Sequence, residues 1–240
     1  MPSQWDSLAE VFGTDLNPSA EGYAADNILI AWPSLLRGIE QTFGSNQSLN
    51  VLDFGCGGGL FCNQLAGKGH HVTGYDESAA MLAAARTRAQ AGVKIVNHPK
   101  VALKPKAYDV ITTCMVMPFI ADLRAMTAAF INALKPNGLI IQATFNPAFI
   151  AENKNHAFFP PAEQNDLSQI ELKPGVKIPF YQRSAADYQK TFASYQYEEV
   201  YRDLPPFTSG FLDSYPMPFA TKEPEYLVQG FQAKNQSKGQ

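Results

Sequence analysis

Two carboxylates and a run of glycines carry the chemistry of this 240-residue chain. Asp53 closes an apolar run, Val51-Leu52. It is followed by Gly55, Cys56, Gly57, Gly58 and Gly59, and then by an apolar segment that starts at Leu60. That order predicts a buried strand, a tight bend and the start of a helix. Glycine reaches positive φ without steric cost and lets a ligand approach the backbone. The helix behind it offers unpaired N–H groups and a positive dipole end. A second strand-like run, 69–76, ends on Asp76, about twenty residues past the turn, where a carboxylate suits the hydroxyl pair of a ribose. Asp76 also stands just before Ser78, a helix start, so a capping role is open beside the ribose role. The nicotinamide fingerprint G-x-G-x-x-G is excluded, because Leu60 occupies its last glycine.

Other reactive side chains form no recognisable centre. Cys56, Cys62 and Cys114 are odd in number and lack metal-ligand spacing. His70, His71, His98 and His156 lack zinc-site spacing, so no metal is expected. The net charge of −3 and pI of about 5.8 argue against nonspecific nucleic-acid binding, which needs dense Lys and Arg. No apolar run approaches the ~20 residues of a membrane helix. The first residues, Met1-Pro2-Ser3-Gln4-Trp5-Asp6, show no basic-then-apolar leader pattern. The expected setting is therefore the cytoplasm, with reduced thiols.

The elements that must position these residues alternate in type. A short helix is expected over 4–12. A longer one covers 21–43, where Pro33 either kinks it or divides it. Strands follow at 50–53, 69–76, 93–96, 108–116 and 139–145, with helices at 60–67, 78–91 and 122–134 between them. Lys135-Pro136-Asn137-Gly138 is a turn by its residue chemistry. Strands alternating with helices imply a doubly wound α/β sheet, whose ligands sit beyond the carboxyl ends of the strands. Residues 146–183 are rich in Pro, Phe and Tyr and are expected to form an irregular insertion, with short strands at 167–172 and 176–181. A helix over 185–195 and strands at 197–203 and 226–233 close the chain. The layout is a single domain, 1–240: a helical cap over 1–46, a core over 47–146, the insertion over 147–183 and a closing helix and hairpin over 184–240.

Residues 48–146 resemble the core of the class I S-adenosylmethionine (SAM) dependent methyltransferases. The resemblance rests on Asp53-x-Gly55-x-Gly57-x-Gly59, His71-Val72-Thr73-Gly74-Tyr75-Asp76-Glu77-Ser78, Tyr108-Asp109-Val110-Ile111 and Ala133-Leu134-Lys135-Pro136-Asn137-Gly138-Leu139. The last two strands resemble that family's closing hairpin. It implies a Rossmann-like seven-stranded sheet of order 3-2-1-4-5-7-6 with strand 7 antiparallel. It also implies that Gly55 and Gly57, in a turn shared with Cys56 and Gly59, approach the methionine part of SAM. Asp53 would order the turn and assist the SAM amino group, and Asp76 would take the ribose hydroxyls. Glu77 and Met81 would flank the adenine, and Cys114 would offer backbone near the methionine. Where relatives often place an acid for the adenine amine, this chain has Asn97-His98-Pro99. Asn97 suits the amine through its carbonyl, while His98 is either a contact or a solvated loop residue. The histidine-containing stretch common after the fourth strand is replaced by Met115-Val116-Met117-Pro118-Phe119.

The chemistry implied is methyl transfer to O or N of a small apolar or aromatic acceptor, with S-adenosylhomocysteine as product. Such an in-line displacement needs orientation and a dry pocket, and a base only where the acceptor holds a high-pKa proton. His98, His156, Tyr23 and Tyr181 are the candidates for that base or for an acceptor contact, against surface or core roles for each. The aromatic segments 146–183 and 204–225 are either walls of an apolar pocket or a dimer surface, and the chain is expected to be a monomer or homodimer. RNA or protein methylation on the same fold, and noncatalytic SAM binding, remain the alternatives.

Overall fold

The computed structural model describes residues 3–9, 25–162 and 166–234. Its centre is a sheet of seven strands. Five are parallel: β1 (Asn50–Phe54), β2 (His71–Tyr75), β3 (Val93–Val96), β4 (Tyr108–Cys114) and β5 (Leu134–Phe145). A separate antiparallel hairpin, β6 (Leu167–Lys173) and β7 (Val176–Tyr181), lies outside that sheet. β8 (Tyr197–Asp203) and β9 (Tyr226–Ala233) complete it, β9 running antiparallel to β5 and to β8. The order is β3-β2-β1-β4-β5-β9-β8. With the hairpin strands left out of the count, this is the expected 3-2-1-4-5-7-6. The expected hairpin at 167–172 and 176–181 is present within one residue.

Alternating strand residues feed two cores, as a sheet buried on both faces requires. Val51, Val72, Val110, Ile141 and Val228 face α1 (Trp32–Phe43), α2 (Leu60–Gly67) and α3 (Ala79–Arg88). Leu52, Ile111, Ile140 and Phe231 face the opposite layer. That layer follows the short α4 (Pro99–Ala102) and consists mainly of α5 (Leu123–Ala133), carrying Phe130, and, after α6 (Pro147–Glu152), of α7 (Ala185–Ala193), carrying Tyr188 and Phe192. Phe192 stacks on Phe231 at 3.9 Å between ring centroids. The segment before β9 holds a last short helix, α8 (Ser209–Ser214).

Pro33 divides the segment, one of the two expected outcomes: a π-helical turn, Asn27–Ala31, ends at Ala31 and α1 begins at Trp32. Pro33 lies in the first turn of α1, where a missing N–H costs nothing. The expected helix over 4–12 is a 3-10 helix, Gln4–Leu8, capped by Ser3; residues beyond 9, with Tyr23 among them, lie outside the described residues until 25. α7 ends at Ala193, short of the expected 195. α4, α6 and α8 have no counterpart in the sequence reading; each is six residues or shorter, too short to show a period.

The aromatic insertion has a third core of its own. Phe145, Phe149, Phe159 and Phe180 are buried together with Ile170, Ile178 and Leu8. Phe149 meets Phe159 edge-on at 5.8 Å and Phe145 meets Phe180 at 5.7 Å. These four rings are buried and packed edge-on in a chain of contacts.

Candidate active site

The carboxyl ends of β1, β2 and β4 share one edge of the sheet, as their parallel registers require. At that edge the glycine turn is clasped to the end of β2. The N–H groups of Gly55 and Cys56 donate to the Tyr75 carbonyl at 2.7 and 2.9 Å. The Gly57 N–H donates to Asp76 Oδ2 at 2.9 Å, and the Ser78 N–H donates to Asp76 Oδ1 at 2.9 Å. Asp76 thus holds turn and helix start together, and each oxygen keeps a lone pair for a further donor. Burial pushes its carboxyl above the ordinary carboxylate range.

Three glycines of the turn have separate reasons. Gly55 has φ +82°, and an added Cβ would fall 2.2 Å from Val116 Cγ2. Gly59, φ +79°, lies against the Ala85 backbone of α3, where a Cβ would come within 3.2 Å of Cα. Gly57, φ +51°, has no atom within 4 Å of a would-be Cβ. Gly55 and Gly59 therefore serve packing, and Gly57 faces open space.

Asp53 lies beneath the turn, 3 % exposed. Thr112 Oγ1 donates to its Oδ1 at 2.9 Å and Cys62 Sγ to its Oδ2 at 3.3 Å. Burial raises its pKa to about 6, against the lowering effect of those two donors. Behind the turn, Cys56 and Cys62 crowd Gly74, whose missing Cβ would sit 2.8 Å from Cys62 Sγ.

The remaining predicted residues are scattered along the rim. Glu77 is exposed and accepts from Ser3 Oγ at 3.0 Å. Met81 is buried on α3, its N–H donating to Ser78 Oγ. Asn97 and His98 are exposed after β3, and His98 Nδ1 caps α4 by accepting from the Lys100 N–H at 3.1 Å. Cys114 ends β4 and donates to Asn27 Oδ1 at 3.2 Å. His156 packs edge-on against Phe219 at 4.6 Å and accepts from the Phe158 N–H through Nδ1. Tyr181 lies under the Arg183 guanidinium, 4.6 Å from its ring centroid. Asp53, the glycines, Asp76, Glu77, Met81 and Cys114 thus gather about β1, β2 and β4, while His156 and Tyr181 belong to the insertion. A cavity of about 310 Å³ lies at the other end of the sheet, lined by Asn50, His71, Lys94 and Tyr108 among others, and has no part in this arrangement.

Several residues at the rim gave no sequence signal. Asp6 reaches over from the N-terminal 3-10 helix: its Oδ1 accepts from Ser78 Oγ at 2.6 Å and from the Ala80 N–H at 3.2 Å. Trp5, beside it, meets Phe119 edge-on at 4.9 Å. Asp26, Glu225 and Tyr226 gather next to Cys114, joined by the Tyr226 OH donating to Asp26 Oδ2 at 2.8 Å. The partners in these contacts are dozens to 200 positions apart.

Comparison with known proteins gives the family and the fold. The family described as methyltransferase domain matches residues 21–209, and the chain belongs to that family, within the class I SAM-dependent methyltransferases. A ubiquinone biosynthesis O-methyltransferase from Sodalis glossinidius is 36 % identical over 103 residues, 40 % of this chain and 41 % of that protein. The chain spans about half the length of the curated relatives it matches. A SAM-dependent methyltransferase structure from Mesorhizobium loti superposes with TM-score 0.63 at 18 % identity, covering 84 % of this chain and 96 % of that one. The Burkholderia thailandensis 1,6-didemethyltoxoflavin-N1-methyltransferase, solved with 1,6-didemethyltoxoflavin and S-adenosylhomocysteine, superposes with TM-score 0.57 at 15 % identity, covering 85 % and 78 %. Among the described residues no helix is long and apolar enough to cross a membrane, and no three metal-ligating side chains cluster.

Proposed function

We propose that this chain transfers a methyl group from SAM to an oxygen or nitrogen of a small, apolar or aromatic molecule. The observation that carries the reading is the Gly57–Asp76 clasp, which leaves an open backbone cradle beside a carboxylate with lone pairs to spare. Those features fit a nucleoside: Asp76 for the ribose hydroxyls, the Gly55–Gly57 backbone for the amino-acid part, Asp53 holding the turn from below. Glu77, Met81 and Asn97 stand on the adenine side, toward β3. Bound SAM supplies an activated methyl on a sulfonium, with a neutral thioether as leaving group. The protein's share is orientation and exclusion of water, which suffice for much of such a displacement. The O-methyltransferase relatives favour oxygen as the methylated atom. Calorimetric titration of the full chain with S-adenosylhomocysteine and with NADH tests the reading: the first is expected to bind and the second not. NADH binding without S-adenosylhomocysteine binding would end it. Mass spectrometry of an extract incubated with SAM then identifies the acceptor as a product heavier by one methylene.

A further inference from the structure

An acid pair, Glu225 buried and Asp26 half-buried, lies on the acceptor side of the rim. Asp26 precedes the π-helical turn, and Glu225 precedes β9. Glu225 is 4 % exposed, and its Oε2 is fully buried with no donor. Asp26 Oδ2 accepts from the Tyr226 OH at 2.8 Å, and its Oδ1 from the Asn27 N–H at 2.8 Å. Asn27 in turn receives the Cys114 thiol. Among the described residues, the side chains that face the pair are Asn27, Cys114 and Tyr226, with Asp53 acting on Cys114 from the far side. None of them is a cation.

The strand order gives this pair its meaning. Asp76 ends β2 and the pair adjoins β4, β5 and β9, on the other side of β1. A nucleoside held by its ribose at Asp76, with its amino-acid part over the glycine turn, delivers its methyl toward β4 and what lies beyond. We propose that Asp26 and Glu225 form the acceptor-binding site, holding the O–H or N–H that is methylated and taking its proton. This rests on the methyl-transfer reading above and extends it.

Two hydrogen-bonded carboxyl groups, one buried and one half-buried, do not both ionise readily, so they hold one proton between them. Burial pushes both above the ordinary range, Glu225 the further. One shared proton satisfies the buried Glu225 oxygen and leaves a single negative charge. In the transfer, a lone pair of the acceptor oxygen or nitrogen bonds to the methyl carbon as the methyl–sulfur bond breaks. The bonding electrons stay on sulfur, and the acceptor's proton passes to the pair, which then holds two. The sulfonium and the pair lose their opposite charges in the same event, so no isolated charge is left in a dry site.

Infrared spectroscopy and calorimetry on the full chain test this, with catechol, phenol and aniline as probes of O–H and N–H acceptors. The unsubstituted chain at neutral pH is expected to show a protonated-carboxyl band, which shifts when a probe joins the S-adenosylhomocysteine complex. Glu225→Gln is expected to lose the band yet keep probe affinity, because its amide N–H stands in for the shared proton. Asp26→Asn with Glu225→Gln leaves no anion. It is expected to weaken probe binding by about tenfold or more, as loss of a charge-assisted hydrogen bond does, with S-adenosylhomocysteine affinity little changed. Absence of the band, or failure of all three probes to shift it, overturns the proposal without any variant. So does a double variant that loses S-adenosylhomocysteine instead, which assigns the pair to the cofactor's ammonium group. Failure of the methyl-transfer reading is distinct: the unsubstituted chain then does not bind S-adenosylhomocysteine at all.

Discussion

Gly55 and Gly57 sit two positions apart in one turn and answer to different neighbours. Alanine at either pays the cost of left-handed backbone, about 1–2 kcal/mol. At Gly55 the new Cβ also meets Val116 at 2.2 Å, so Gly55→Ala is expected to lower the melting temperature clearly more than Gly57→Ala. At Gly57 the Cβ enters the cradle. Gly57→Ala is expected to weaken S-adenosylhomocysteine binding about tenfold or more while the protein stays folded, which calorimetry and thermal unfolding read side by side. Asp76→Ala removes the acceptor of Gly57 and Ser78 as well as the proposed ribose contact. It is expected to weaken SAM binding by about 1–3 kcal/mol, the cost of polar groups left unmatched; unchanged affinity would take Asp76 out of the site.

At the scale of elements, Arg183 ties the insertion to the end of β4. The Arg183 guanidinium donates to the carbonyls of Met117, Ile120 and Ala121, at 2.8, 2.5 and 3.1 Å. These are the residues that follow β4, so the end of the β6–β7 hairpin and the rim move together. Arg183→Ala is expected to cost about 1.5–3 kcal/mol, as loss of hydrogen bonds from a charged group does. Hydrogen exchange is expected to quicken in residues 167–181 while the protection of β1 and β4 holds; uniform change across the sheet would contradict this. The N-terminal 3-10 helix makes a second tie, through Asp6 to the start of α3 and through Leu8 to the third core.

For the whole molecule, nine carboxyl groups among the described residues divide into two sets. Asp26, Asp53, Asp76 and Glu225 are raised by burial. Their folded forms favour the proton, so the stability they contribute is full below the ordinary carboxylate value and is lost as pH rises through the folded value. For Asp53 that window runs from 3.8 to about 6 and amounts to about 3 kcal/mol. Asp6, Asp109, Asp187, Glu199 and Asp203 are lowered by their hydrogen-bond donors and cationic partners. They stabilise above the ordinary value and lose that as pH falls. The melting temperature is therefore expected to peak near pH 4, about the ordinary carboxylate value, and to decline as pH rises through about 6. Asp53→Asn is expected to flatten the alkaline side of that curve, and a decline as steep as in the unsubstituted chain would show that Asp53 does not titrate in this window.

Sequence alone determined the sheet and its turn, because both are written in local pattern. Val110-Ile111 and Leu139-Ile140-Ile141 show buried strands, and Asp53 with Gly55, Gly57 and Gly59 shows a bend that side chains would block. Strand order followed from the family resemblance those residues carry. The insertion hairpin was legible because its two strands are neighbours in the chain. Tertiary structure alone decided which glycine faces open space, since Gly55, Gly57 and Gly59 are the same letter and differ only in what stands opposite. It also decided that the insertion's phenylalanines pack on one another, and it brought Asp26 to Tyr226 and Asp6 to Ser78. Those contacts join residues far apart along the chain, and a carboxylate's meaning there depends on burial and partners, which no window of neighbouring residues contains.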